Sequence, residues 1–441
     1  MRPSLRLAGV ALLASALAAR GGARAPAAAA VTELKLDNGM SFLLVRRPEL
    51  PTVSAGWVAR VGSVHEAPGI TGLTHFLEHM LFKGTKVITK GELGRLYAAA
   101  GARGLNALTV QDMTLYFVTL PAEKLELWFW LESDRLLSPE LREFDTEKEV
   151  VREERRQRTE STPTGLQDEE LRAAFWGAHP YGWPTLGRPA DLARLTVLDA
   201  ERYFATHYGP GNLTAALVGN FDPAVVRTLA ERYFGRLKAR PAPAPVSAAV
   251  EIHRGEVRRD FTCACPPQLQ LLYPAPAMTH PDSPVFEVLA GLLNGRTGRL
   301  YRSLVVDQGI ATAAYALSVP MRWAGSFTVT VEAKGEVAPE ALLAAWDREL
   351  ERLQSTPIEP AELLRVKNQI TADGYRRLKE PSAFMMQLLM NAGFGDWRLV
   401  QGGPERALAV TEGEVQRAVR ELLAPERRTV GFYRRSAEAG R

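Results

Sequence analysis

Short apolar runs rich in β-branched and aromatic residues open the chain after residue 30. "SFLLVRR" (41–47) and "VSAGWVARVGS" (53–63) predict strands. The pattern then changes period. In "THFLEHMLFKGT" (74–85) apolar positions recur at helical spacing, with Pro68, Gly69 and Gly72 ahead of them and Gly84 behind, so a helix is predicted to start near His75 and close at Gly84. "FDTEKEVVREERRQR" (144–158) is charged and helix-favouring, with Asp145 or Thr146 as its expected cap. In the second half "LQLLYPAPA" (269–277) predicts a strand ahead of another helix-rich stretch.

The two halves also finish alike. "AERYFATHYGPGNLTAALVGNF" (200–221) orders a helix, a Gly/Pro turn and an apolar strand, and "VQRAVRELLAPERRTVGFYRR" (415–435) repeats that order. A duplicated α+β unit follows. Between the copies lies "RPAPAPVSAA" (240–249), whose alternating prolines favour an extended spacer. The expected organisation is an N-terminal domain over 31–239, a linker over 240–250 and a C-terminal domain over 251–441.

Residues 1–30 differ from the rest. Arg2 and Arg6 precede the apolar run "LAGVALLASALAA", with Ala16-Leu17-Ala18 as a cleavage candidate, which reads as a signal peptide and an exported, periplasmic protein. The alternative is a transit peptide and the mitochondrial matrix, since this segment holds four arginines and no acid. The apolar run is too short to span a bilayer, so no transmembrane segment is expected in the mature chain. Removing residues 1–30 brings the formal charge of +4 near zero, so the pI of 9.0 gives no ground for nucleic-acid binding. On a continuous strand Cys263 and Cys265 would stand ~6.6–6.8 Å apart at Cα, the edge of disulfide geometry, and they are read as packed thiols.

Candidate chemistry centres on His75, Glu78 and His79. Residues four apart share a helical face, so the two imidazoles can converge on one point with Glu78 beside it. Two neutral imidazoles suit Zn²⁺, and a catalytic zinc wants a third protein ligand plus an open position for water. Glu147 and Glu154 lie seven apart, two turns along one helical face, so one can ligate while the other orients a ligand. Each pattern alone also fits a solvated helical face of mixed charge.

Together, "GLTHFLEHMLFKGT", "LNALTVQDMTLYF" and "EKEVVREE" followed by "HPYGWPTLGRPADL" resemble the pitrilysin family of inverzincins, which includes insulinase-type peptidases and mitochondrial processing peptidase. The resemblance implies half of a clamshell-type peptidase with two homologous domains, each an antiparallel sheet packed with helices. It implies one zinc ion per chain held by His75, His79 and Glu154, with Glu78 as general base, Glu147 supporting a ligand and Asn106 contacting substrate. For Asn106 the competing reading is a turn asparagine bonded to its own backbone. A strand carrying Val110, Met113, Leu115 and Phe117 is expected to pair with an extended peptide substrate.

One segment departs from the family. Single-chain members place an arginine and a tyrosine in a setting like "LREKRGLAY", whereas this chain has "LVVDQGIAT", with Val305 and Thr312 at those positions. Arg302 and Tyr315 stand nearby but face elsewhere on a regular element. The departure implies a catalytic subunit whose homologous, metal-free partner supplies the arginine and tyrosine, with a homodimer or a lone monomer as the alternatives. A noncatalytic scaffold of the same fold and a presequence-processing subunit are the competing functions.

Overall fold

The computed structural model describes residues 30–241, 243–246, 250 and 255–436. The predicted signal peptide, Ala30 apart, and linker residues 242, 247–249 lie outside them. The chain is a mixed α/β structure of two sheets packed with helices.

The first sheet uses β1 (Thr32–Lys35), β2 (Ser41–Arg46), β3 (Thr52–Ala59), β4 (Arg103–Thr109), β5 (Thr114–Pro121) and β6 (Leu213–Gly219), in the order β1-β2-β6-β3-β5-β4. Its helices are α1 (Leu73–Met80), α2 (Glu92–Ala99), α3 (Leu125–Leu137), α4 (Phe144–Arg155), α5 (Gly165–Trp176), α6 (Pro189–Arg194), α7 (Val197–His207) and α8 (Pro223–Tyr233). The second sheet uses β7 (Val257–Cys263), β8 (Gln268–Ala275), β9 (Ala311–Pro320), β10 (Gly325–Ala333) and β11 (Thr429–Arg435), in the order β7-β11-β8-β10-β9. With it go α9 (Ser283–Leu293), α10 (Pro339–Ser355), α11 (Pro360–Lys379), α12 (Pro381–Phe394), α13 (Gly403–Ala409) and α14 (Glu412–Leu422).

The repeated helix–turn–strand endings are α7–β6 and α14–β11. Neither sheet is wholly antiparallel, as the resemblance had implied, because β2 runs parallel to β6 and β7 parallel to β11. In each half the late strand returns through helices to lie beside an early one, the kind of crossover a parallel pair requires.

The central strands of the first sheet are buried on both faces. In β2, Phe42 and Leu44 point into the helical core with Trp57 and Trp128, while Leu43 and Val45 point to a second core on the opposite face. That opposite face is covered by α12 of the other half, which lies across β3 and β6. The exchange is mutual, since α5 of the first half packs on β11 and β7. A Cβ on Gly56 would stand 2.9 Å from Leu389 Cδ1 of α12, and one on Gly431 would stand 2.8 Å from Leu171 Cδ2 of α5. Each half thus seals the other's sheet, and glycine permits the close approach.

A further joint is the turn between β9 and β10. The Arg322 amide donates to Asp112 Oδ2 at 3.0 Å, and the Trp323 amide donates to the Tyr181 hydroxyl, which donates to Asp112 Oδ1.

Cys263 and Cys265 are joined as a disulfide, correcting the expectation of packed thiols. The expectation assumed an unbroken strand. β7 ends at Cys263 and the chain bends through the next two residues, which brings the Cα atoms to 5.2 Å.

Candidate metal centre

The helix bearing the histidines is fixed at both ends. At its start Gly72 takes φ 89°, and a Cβ there would meet Gly187 Cα at 2.7 Å, so glycine is required twice over. The buried Glu66 carboxylate accepts from the amides of Gly72 and Thr74, both at 2.8 Å, capping the α1 N-terminus with an acid. Thr71 receives the Arg188 amide and donates to Asp191, so the segment around "LGRPAD" buttresses the same end. At the other end Arg135, fully buried, donates from Nη2 and Nε to the Leu81 carbonyl. Its guanidinium lies between the rings of Phe82 and Tyr116, 4.5 and 4.6 Å from their centroids, and is balanced by Glu132. Burial pushes the Glu66 carboxyl up to about 8, so it caps through hydrogen bonds, while the Arg135 cation at the C-terminus matches the helix dipole.

On α1, His75 and His79 bring their rings to 4.7 Å between centroids. Glu154 arrives from α4, with Oε2 3.6 Å from His75 Nε2 and 3.2 Å from His79 Nε2. These three atoms lie within 4.8 Å of one another. An ion bound tetrahedrally at ~2.0–2.1 Å would set its ligand atoms about 3.3 Å apart, so the donor spacing fits zinc, as does the donor set of two imidazoles and one carboxylate.

The remaining atoms of these candidate ligands are held too. His79 Nδ1 lies 2.9 Å from Glu147 Oε1, which fixes the ring with Nε2 toward the centre when Nδ1 carries the proton. Lys83 pairs with the other Glu147 oxygen. Glu154 Oε1 meets Arg158 Nη1 at 2.8 Å. Glu153 faces away and bonds Arg156 and Gln157. His75 Nδ1 is buried without a hydrogen-bond partner among the described residues. Burial, then the neighbouring His79, lowers the His75 pKa to about 4, so the ring is neutral and its nitrogen free to ligate. Burial also disfavours the charged His79, but the carboxylates of Glu154 and Glu147 outweigh it and raise its pKa.

Glu78 lies beside the pair, buried, accepting a 2.5 Å hydrogen bond from Thr109 Oγ1. Burial raises its pKa above the usual carboxylate value, against the pull of that bond. Glu78, His79, Phe82, Lys83, Asn106 and Glu147 open onto one cleft of about 430 Å³, whose wall comes wholly from the first half.

The expected strand through Val110–Phe117 is corrected to a hairpin. Leu115 and Phe117 sit on the inner strand β5, and the free edge is β4, which carries Asn106. Asn106 is exposed and its Oδ1 accepts from the Ala107 amide, so part of its capacity goes to its own backbone. Nor does Asp145 or Thr146 cap α4. The N-cap is Glu143, at φ 55°, so the helix begins two residues earlier than a cap at Asp145 would set it, and Asp145 falls within its first turn. Val305 packs partly buried against the second core, Thr312 and Tyr315 are on the edge strand β9, and Arg302 is exposed. None of these four lines the cleft. Sequence reasoning missed Lys83, Thr109, Arg158, Glu66 and Arg135. Only Arg158, four residues from Glu154, carried a local signal.

Among family models, one described as "Insulinase (Peptidase family M16)" matches residues 41–188 and one described as "Peptidase M16 inactive domain" matches 194–370. The metal-site residues all lie within the first. The chain is 27% identical over 362 residues to the zinc protease PqqE of Helicobacter pylori, covering 79% of this chain and 80% of that protein. It is 24% identical over 405 residues to an uncharacterised zinc protease of Streptomyces coelicolor, covering 89% and 87%. Among solved structures, a protease from Helicobacter pylori superimposes with a TM-score of 0.87 at 24% identity, covering 92% of this chain and 99% of that one. Pitrilysin superimposes at 0.76 and 17% identity, covering 92% of this chain but 44% of pitrilysin, so in fold the chain corresponds to about half of that molecule.

Proposed function

The chain belongs to the pitrilysin/insulinase-like family of peptidases, and on that premise we propose that it is a zinc-dependent endopeptidase acting on unfolded peptides. The single observation carrying this reading is the convergence of His75, His79 and Glu154 with Glu78 opening onto the adjoining cleft. Zinc held there would lower the pKa of a bound water to about 7 and offset the negative charge developing on the substrate carbonyl.

The chain's own groups account for the rest. Glu78, with its raised pKa and its anchor on Thr109, takes the proton from the attacking water and returns it to the leaving amine. Glu147 keeps His79 oriented and Arg158 restrains the outer oxygen of Glu154. The free edge of β4 pairs with an extended substrate backbone, with Asn106 beside it.

Residues 31–239 form the zinc-bearing domain in this reading and 251–441 a noncatalytic one. A homologous, metal-free subunit supplies the arginine and tyrosine, which agrees with a cleft walled only by the first half and with Val305 and Thr312 lying away from it. Export to the periplasm rests on residues 1–30. Among the described residues no helix is long and apolar enough to cross a membrane.

The test is Glu78→Gln in the full chain, assayed on an unfolded peptide with any required partner present. Zinc content stays at the wild-type level while cleavage falls by about 10²–10⁴-fold, and the wild-type activity is abolished by a chelator. Undiminished cleavage by the variant would refute the assigned base. Zinc binding without wild-type turnover, alone or with the partner, would favour a scaffold.

A further inference from the structure

A second cleft, of about 290 Å³, lies in the other half, where α9, α11, α12 and α13 converge on the end of β9. Its volume is at the small end of ligand sites. Three charged side chains enter it: Glu287 from α9, Arg377 from α11 and Arg406 from α13. The spacing of their carriers is helical, since Ser283 and Glu287 are four apart on α9, and Ile370, Gly374 and Arg377 follow one face of α11.

These charges are not spent on one another. Glu287 lies within electrostatic range of both arginines, yet neither it nor Arg377 makes an ion pair or side-chain hydrogen bond among the described residues. Arg406 gives one Nη2 bond to the Leu399 carbonyl, at 2.9 Å, and its Nε is buried without a hydrogen-bond partner. The Gln387 amide also lines the cleft without a partner. Pro404 of α13 packs over Gly374 of α11 at the floor of the same cleft. Two cations facing one anion across a small cleft are complementary to a molecule bearing a carboxylate at one end and an ammonium at the other.

We propose that this cleft binds a small zwitterion, a free amino acid or a dipeptide, with its carboxylate on Arg377 and Arg406 and its ammonium on Glu287. The class is also what peptide hydrolysis releases, but the binding needs neither zinc nor turnover, so it stands or falls separately from the peptidase reading.

The experiment is calorimetric titration of the full chain with L-alanyl-L-alanine, its N-acetylated form and its C-terminal amide, repeated on Glu287→Gln and Arg377→Gln, both solvent-accessible positions. The expected result is one-site binding of the dipeptide, weakened about tenfold or more by either cap and by either substitution, since each removes one charged contact. Absence of binding up to about 10 mM, equal affinity for the capped forms, or undiminished affinity in either variant would overturn the proposal. The ligand series on the unsubstituted chain decides the matter if a variant fails to fold.

Discussion

His79 is gripped from two sides, by Glu154 across the metal centre and by Glu147 behind the ring. Removing the rear carboxylate frees the imidazole to rotate without deleting a ligand, so Glu147→Ala is expected to weaken zinc binding by about 10–100-fold in a chelator competition. Glu153→Ala, on the turned-away neighbour that bonds only Arg156 and Gln157, is expected to leave affinity unchanged. Equal losses from both would mean that Glu147 acts only through general charge. At this scale the i, i+4 histidine pair and the seven-residue spacing of Glu147 and Glu154 were legible as local helical arithmetic, whereas the choice of Glu154 as candidate third ligand came from the family resemblance. Lys83, Thr109 and Arg135 were not legible, because each earns its place through a partner far along the chain that no periodicity marks.

Among elements, β3 has little room to vary at Gly56. A Cβ on Gly56 would meet the Tyr116 carbonyl at 2.6 Å on one side and Leu389 of α12 on the other. Gly56→Ala is expected to destabilise the fold by about 1–3 kcal/mol in urea denaturation, and an unchanged midpoint would show that α12 does not dock as described. Strands β2, β3 and β8 and both helix–strand endings were readable from period and turn residues. The parallel pairs and the exchanged helices were not, since each is decided by which distant segment lies alongside, and the disulfide was missed because β7 stops at Cys263 and the chain bends locally.

Across the whole molecule, the two halves meet at a half-buried corner that holds two histidines and two arginines. His65 and His207 have ring centroids 5.6 Å apart beside Trp323, with Arg322 facing His65 and Arg60. Burial lowers the pKa of His65 to about 3 and that of His207 to about 4. Below about pH 6.5 the unfolded chain takes up protons that the folded chain refuses, so stability falls as pH drops from about 6.5 toward 4. Thermal unfolding midpoints should follow that fall, and His65→Asn with His207→Asn should make it shallower, the share of His75 remaining. An equally steep fall in the double variant would place the acid sensitivity elsewhere. Two turns of α1 and one of α4 build a candidate site for a single metal ion, and elemental analysis of the purified full chain tests it most directly. One zinc per chain, lost on Glu154→Gln while the fold persists, is the predicted result; a chain without bound metal after zinc supplementation, or one whose zinc content ignores that substitution, would contradict it.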